Sequence, residues 1–152
     1  MTKLPEAAVD AGLRSFERSL PMALLRARET VMGRFRPILA AHGLTEQQWR
    51  VLRALDDQDA TVSVGELADA TFLLGPSLSR MLASLDERGL VKRSAGTSDA
   101  RRADIGITSK GRALVAKVAP ASEAAYRQIE AQVSIDDLAE LFALLSKVAQ
   151  ID

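Results

Sequence analysis

Apolar residues recur every three or four positions along most of this chain, the interval that gives a helix one buried face. The two longest stretches of this kind cover residues 13–43, closed by Gly43, and 113–152. A helix as long as the first has more apolar face than a small domain can bury alone, so part of it should meet a second subunit. Pro21 should start the main helix of the first stretch or kink it near its beginning. Pro37 should bend this helix near its end, and Pro120 should interrupt or kink the second stretch, because proline removes a backbone hydrogen bond.

Capping signatures mark the helices in the middle of the chain. Thr45 is followed three residues later by Gln48, and Ser63 by Glu66, which is the spacing of a capping box. A further helical stretch begins near Gly75. Two short helices joined by a tight connection, the second with a polar outer face, predict a helix-turn-helix.

The helix that begins near Gly75 has one apolar and one polar face. Gly75 as N-cap and Pro76 at the first helical position give it a defined start, with N–H groups that could meet a phosphate. Its apolar stripe consists of Leu78, Met81, Leu82 and Leu85. The outward side chains are small hydrogen-bonding groups and one guanidinium: Ser77, Ser79, Arg80 and Ser84. Such side chains fit a major groove, so we interpret this helix as a DNA-reading element.

Two short runs with strand character follow Gly89, a residue suited to the left-handed position that ends a helix. They cover residues 90–93 and 103–107, and residues 94–102 between them are small, turn-forming and basic. The predicted fold class is therefore mainly α with a small β-hairpin wing (α+β), a winged helix-turn-helix between long N- and C-terminal helices. The terminal helices are expected to pair with those of a second subunit.

The loop of this hairpin carries Arg101 and Arg102. Arginines on a projecting tip can reach a minor groove, where narrow A·T-rich geometry concentrates negative potential. The carboxylate of Asp99 could form a charge-assisted bond that fixes the loop and orients Arg101. An exposed hairpin with a solvated charge cluster is the alternative interpretation.

Charge is balanced over the whole chain but not along it. The 152 residues carry 20 basic and 20 acidic side chains. Residues 76–112 carry eight basic against four acidic residues, a net charge of +4, whereas residues 113–152 carry three against six, a net charge of −3. Positive charge is thus concentrated in the segment predicted to touch DNA.

Composition excludes several classes of site. The chain has no cysteine and one histidine, so disulfides, thiolate metal sites and histidine clusters are excluded. His42 is better explained as a helix C-terminal residue than as a ligand.

Apolar residues make up 47% of the chain, which is long enough for one domain. It has no apolar run typical of a membrane span or signal peptide, so a cytoplasmic location is expected. No nucleophile elbow or phosphate loop is present, and we expect neither enzymatic activity nor a cofactor.

The order of these motifs resembles the MarR family of winged helix-turn-helix transcription regulators. The resemblance spans nearly the whole chain and rests on HGLTEQQWRVL, LGPSLSRMLASLDERGLVKR and SDARRADIGITSKGR. A D-x-R-R wing followed by the helix start Ile107-Thr108-Ser109-Lys110-Gly111 is specific in combination. SLPMALLRARE and LGPSLSR are most similar to the branch that represses operons for homoprotocatechuate degradation.

The resemblance implies one domain over residues 1–152, with dimerisation helices at 13–43 and 113–152 and a DNA-binding lobe at 45–112. It implies a homodimer that binds a near-palindromic operator and is released by a small aromatic carboxylate. Carried over by position, the groove contacts would be Ser77, Ser79 and Arg80, and the wing contacts would be Arg101 and Arg102, with Asp99 as their local organiser.

The effector site leaves a weaker trace in the sequence. Ser19, Met22 and Arg26 lie on one helical face, where the arginine could pair with a carboxylate. A solvated or intersubunit-packed stripe explains the same three residues equally well. The main alternative for the whole chain is a helical dimer that acts through protein contacts without specific DNA binding.

Overall fold

The computed structural model describes residues 12–95 and 103–152, which divide into two compact units between Gly33 and Arg34. After a short 3-10 turn at Phe16–Arg18, the helices are α1 (Leu20–Ala41), α2 (Glu46–Asp56), α3 (Val64–Thr71), α4 (Gly75–Glu87), α5 (Ser109–Val133) and α6 (Ile135–Val148). The strands are β1 (Val62–Ser63), β2 (Val91–Ala95) and β3 (Ala103–Ile107). They form one antiparallel sheet in the order β1-β3-β2. The predicted fold class, mainly helical with a small β wing, is confirmed.

Local signals placed most helix ends correctly. Both capping boxes form: Thr45 with Gln48 at the start of α2, and Ser63 with Glu66 at the start of α3. Gly43 and Gly89 take the left-handed conformation, with φ of +67° and +71°. Because each of these features depends on residues close together in the chain, a sequence pattern is enough to predict it.

Three helix boundaries differ from the sequence prediction. The N-cap of α4 is Leu74, and Gly75 is already helical, since glycine lacks the Cβ that clashes with a following proline ring. The helical pattern from residue 13 becomes a long helix only at Leu20. Pro21 lies in its first turn, as predicted for a residue that starts the main helix, because a missing N–H costs nothing there. Helix α5 continues through Pro120, because the proline and Ala116 are exposed and water can satisfy the carbonyl that the proline leaves unbonded.

The inner face of α4 packs into the core of the second unit. Leu78, Leu82 and Leu85 are completely buried. They join one apolar cluster with buried residues of α1, α2, α3, α5 and the sheet, among them Leu39, Val51, Leu52, Leu55, Leu67, Val91, Ile105 and Val118. Burial of this stripe determines which face of α4 is left at the surface.

The start of α5 is packed tightly against the turn after α4. The Thr108 hydroxyl accepts a hydrogen bond from the Gly111 N–H at 3.0 Å and donates one to the Gly89 carbonyl at 2.6 Å. A Cβ at Gly111 would overlap the Leu90 carbonyl oxygen and lie 2.7 Å from Cγ1 of Ile107. The Thr-x-x-Gly motif therefore caps this helix and lets its first turn approach β2.

We predict that Gly111→Ala lowers the free energy of unfolding by about 1–3 kcal/mol, the usual cost of forcing an extra group into a packed core. Gly33→Ala is the matched control, because Gly33 is helical with nothing within 4 Å of its added Cβ. That variant should be neutral or slightly stabilised. Urea denaturation at one protein concentration measures the free energy of unfolding of both variants. Equal stability of the Gly111→Ala variant and the parent would contradict the packing described.

Candidate DNA interface

The polar face of α4 is presented to solvent almost as predicted. Ser77, Ser79 and Arg80 are exposed, whereas Ser84, near the end of the helix, is half-buried. Arg80 makes no side-chain hydrogen bond or ion pair within the described part of the chain. A guanidinium and two hydroxyls on a helix whose other face is buried form a row of groups on a fixed backbone that can bond base edges or phosphates.

The N-terminus of α4 is open. Leu74 has extended backbone angles and supplies no side-chain cap, so the N–H groups of Gly75 and Ser77 receive no side-chain acceptor. Pro76 has no N–H to satisfy. Together with the helix dipole, this end of α4 favours an anionic group such as a phosphate.

A charged network holds the turn between α3 and α4. Nη1 of Arg50 in α2 donates a 2.9 Å hydrogen bond to the carbonyl oxygen of Thr71, the last residue of α3. Glu46, whose side chain is 13% exposed, accepts from Arg50 at 3.4 Å and from Arg36 at 2.9 Å. The network therefore connects α2 to the turn that leads into α4, and these three charged residues act as positioning residues.

Sequence reasoning missed this network. The i, i+4 spacing of Glu46 and Arg50 is visible in the sequence. The bond from Arg50 to the Thr71 carbonyl joins residues 21 positions apart, and no local pattern indicates it.

The basic residues of this lobe fall into two groups. Arg88 donates to the Gly43 carbonyl at 3.0 Å, Lys110 to the Arg88 carbonyl at 2.7 Å, and Arg112 to Asp56 at 2.9 Å. These three stabilise the fold. Lys92 and Arg93 in β2 are exposed and, like Arg80, have no such partner among the described residues. The positive charge available to a ligand thus lies on α4 and on the sheet.

The wing is formed by β2 and β3, in register from Val91 opposite Ile107 to Ala95 opposite Ala103. Its hairpin was predicted, but β1 was not, because a two-residue strand leaves no periodic signal. Asp99, Arg101 and Arg102 lie outside the described residues.

The candidate effector residues belong to the first unit. Ser19 directly precedes α1 and its carbonyl accepts from the Ala23 N–H at 2.9 Å. Ser19 and Met22 are half-buried, and Arg26 is exposed. His42, in the second unit, bonds the Ile38 carbonyl through Nδ1 at 2.9 Å, in agreement with its assignment to a helix end. Within the described ranges, no group of acidic or histidine side chains is placed to hold a metal ion.

Helix α4 buries one of its faces, follows a tight turn and precedes a small sheet. This arrangement defines a winged helix-turn-helix protein. Residues 42–102 match the model of the MarR family. A homoprotocatechuate degradative operon repressor of Escherichia coli is 41% identical over 129 residues, which are 85% of this chain and 86% of that protein. The chain belongs to the MarR family of transcription regulators. This agrees with the prediction that it is not an enzyme and with the predicted branch of the family.

Two solved structures are similar over almost their full length. The structure of NadR in complex with 4-hydroxyphenylacetate has a TM-score of 0.80 and 33% identity, covering 93% of this chain and 99% of NadR. The repressor CouR bound to a 23-mer DNA duplex has a TM-score of 0.80 and 29% identity, covering 91% and 99%. Among the helices described for this chain, none is long and apolar enough to cross a membrane.

We predict that Arg50→Met lowers the free energy of unfolding by about 1–3 kcal/mol, because the Thr71 carbonyl and Glu46 lose a charged donor. The matched control is Arg53→Met on the same helix. Among the described residues Arg53 pairs only with Asp56 and Asp57, and its side chain is 43% exposed, so its removal should change stability by less than about 0.5 kcal/mol. Chemical denaturation measures the free energy of unfolding of both variants. Equal losses of this free energy in the two would show that Arg50 does not hold the turn.

Proposed function

We propose that this protein is a transcriptional repressor that binds a near-palindromic operator as a homodimer and releases it on binding a small aromatic acid. The observation that carries DNA binding is the outer face of α4, where Ser77, Ser79 and Arg80 are exposed while the opposite face is completely buried. The 41% identity to an operon repressor and the similarity to DNA-bound CouR support the same role.

The wing would make the second contact of each subunit. Exposed Lys92 and Arg93 place positive charge on the sheet. Arg101 and Arg102 in the connecting loop would enter the flanking minor groove, with Asp99 orienting them, and Ser84 would lie at the edge of the contact made by α4. Phosphate contacts position a protein on DNA, and base contacts supply sequence preference.

Two sets of exposed apolar side chains support the homodimer. Helix α6 has no buried residue, and Ile135, Phe142 and Leu144 on it are 70%, 67% and 49% exposed. In the first unit, considered by itself, Phe16 and Leu20 are 70% and 51% exposed. Apolar surface of this extent on terminal helices is typical of a subunit interface, and two-fold symmetry is the commonest arrangement for one.

The effector would be a phenolic or aromatic carboxylate. The complex of NadR with 4-hydroxyphenylacetate supports this class of ligand. In this chain Arg26 is the candidate partner of the carboxylate, with Ser19 and Met22 beside it on the same face of the first unit. Release requires the acid to bind the DNA-free shape of the dimer more tightly than the DNA-bound shape.

Selection of bound duplexes from a random pool, followed by titration at several salt concentrations, tests the proposal. We expect an inverted repeat, an affinity that falls steeply with salt because bound phosphates release counterions, and release of the duplex by 4-hydroxyphenylacetate or a related acid. If no duplex is enriched, the alternative gains support, namely a helical dimer that acts through protein contacts. If a duplex is enriched but no aromatic acid releases it, DNA binding stands and only the proposed class of effector is wrong.

A further inference from the structure

Two large apolar side chains project into solvent immediately before α4. Phe72 is 91% exposed and Leu74 is 79% exposed. Their neighbours point inward: Thr71 is fully buried, and Leu73 packs against the core. The chain therefore alternates inward and outward through the turn, and it presents two large apolar groups, two positions apart in sequence, just before the helix.

The turn that carries these side chains is held firmly. The Thr71 hydroxyl donates to the Leu67 carbonyl at 2.6 Å, and the Thr71 carbonyl accepts from Arg50 at 2.9 Å. Phe72 then takes a left-handed conformation with φ of +55°, which is unfavourable for an aromatic residue and persists only when its surroundings enforce it. The backbone conformation at Phe72 is thus set by contacts of its neighbours, and it leaves the side chain at the surface.

Leu74 also occupies a position where another residue type would stabilise the fold better. It is the N-cap of α4, a site at which serine, threonine, aspartate or asparagine would bond the open N–H groups of the first turn. An exposed leucine supplies no such bond. Neither exposure nor capping explains the choice of side chain at these two positions, so the pair fits a ligand that uncharged apolar side chains can recognise.

We propose that Phe72 and Leu74 contact the C5-methyl group of thymine at one edge of the base sequence that α4 reads. The inference rests on the proposed function, because the pair is continuous with the exposed groups of α4 that begin at Ser77. The thymine methyl is the apolar group that a base pair presents in the major groove, and phenylalanine is among the side chains that contact it. The segment from Phe72 to Pro76 has no charged side chain with which to bind a phosphate.

The test uses the full-length protein and the duplex that it selects. Each thymine of that duplex is replaced in turn by uracil, which pairs identically but lacks the methyl group. We expect at least one replacement in each half-site to lower affinity about four-fold, the effect of losing one buried methyl-sized contact. The salt dependence should stay the same, because no phosphate contact is lost.

Two variants assign the effect to the turn. Phe72→Asn removes the apolar surface, and asparagine tolerates the left-handed backbone, so the variant should melt like the parent. We expect it to bind the thymine duplex about as weakly as the parent binds the uracil duplex and to no longer distinguish the two. Phe72→Leu keeps an apolar side chain and should retain the discrimination. The corresponding Leu74→Asn variant tests the second side chain in the same way.

The failures can be told apart. If the parent protein selects no duplex, the proposed function itself fails. If it selects one but tolerates uracil everywhere, or if Phe72→Asn and Leu74→Asn still discriminate against uracil, DNA binding stands and this inference is overturned. Unchanged affinity of both asparagine variants for every duplex would likewise overturn it and assign the exposed pair to a protein partner. A weaker salt dependence in Phe72→Asn would point to the sugar-phosphate backbone instead of the methyl group.

Discussion

The complete burial of Leu78, Leu82 and Leu85 is the constraint on which the candidate DNA interface depends. Because these leucines lie on one face of α4, packing them into the core fixes the rotation of the helix about its axis. The outward serines and Arg80 are then held on one face of the helix, and within the described residues they make no side-chain hydrogen bond or ion pair. A helix oriented in this way can bond a partner at little cost in backbone ordering, which is the advantage of a preorganised site.

Each end of α4 is fixed by a different element. At its start, Arg50 of α2 holds the Thr71 carbonyl, and the buried Thr71 side chain anchors the turn. At its end, Gly89 takes the left-handed conformation and its carbonyl accepts from Thr108, the cap of α5. The close approach of Gly111 to Leu90 brings β2 against the same cap. The wing and α4 are therefore connected through the first turn of α5, which gives the Thr-x-x-Gly motif a mechanical role.

The features predicted from sequence are those that depend on near neighbours in the chain. The stripe of α4, the capping boxes at Thr45 and Ser63, and the left-handed Gly89 each involve residues within a few positions of one another. The bonds from Arg50 to Thr71 and from Arg112 to Asp56 join distant positions, and a helical pattern carries no trace of them. Arg112 therefore adds to the positive charge of residues 76–112 in the sequence, although in the structure it stabilises the fold. The exposure of Phe72 likewise has no signal in the sequence.

The proposed function requires α4 to enter the major groove, and one substitution in DNA tests this directly. Replacing each purine of the selected duplex by its 7-deaza analogue removes N7, an acceptor in the major groove, and leaves the pairing intact. If α4 reads the major groove, we expect at least one such replacement in each half-site to lower the affinity of the parent protein, by about ten-fold for a well-aligned contact. The same replacement should have no further effect on an Arg80→Ala or Ser79→Ala variant. Full affinity for every 7-deaza duplex would show that the exposed face of α4 does not read purines in the major groove, and would contradict the account.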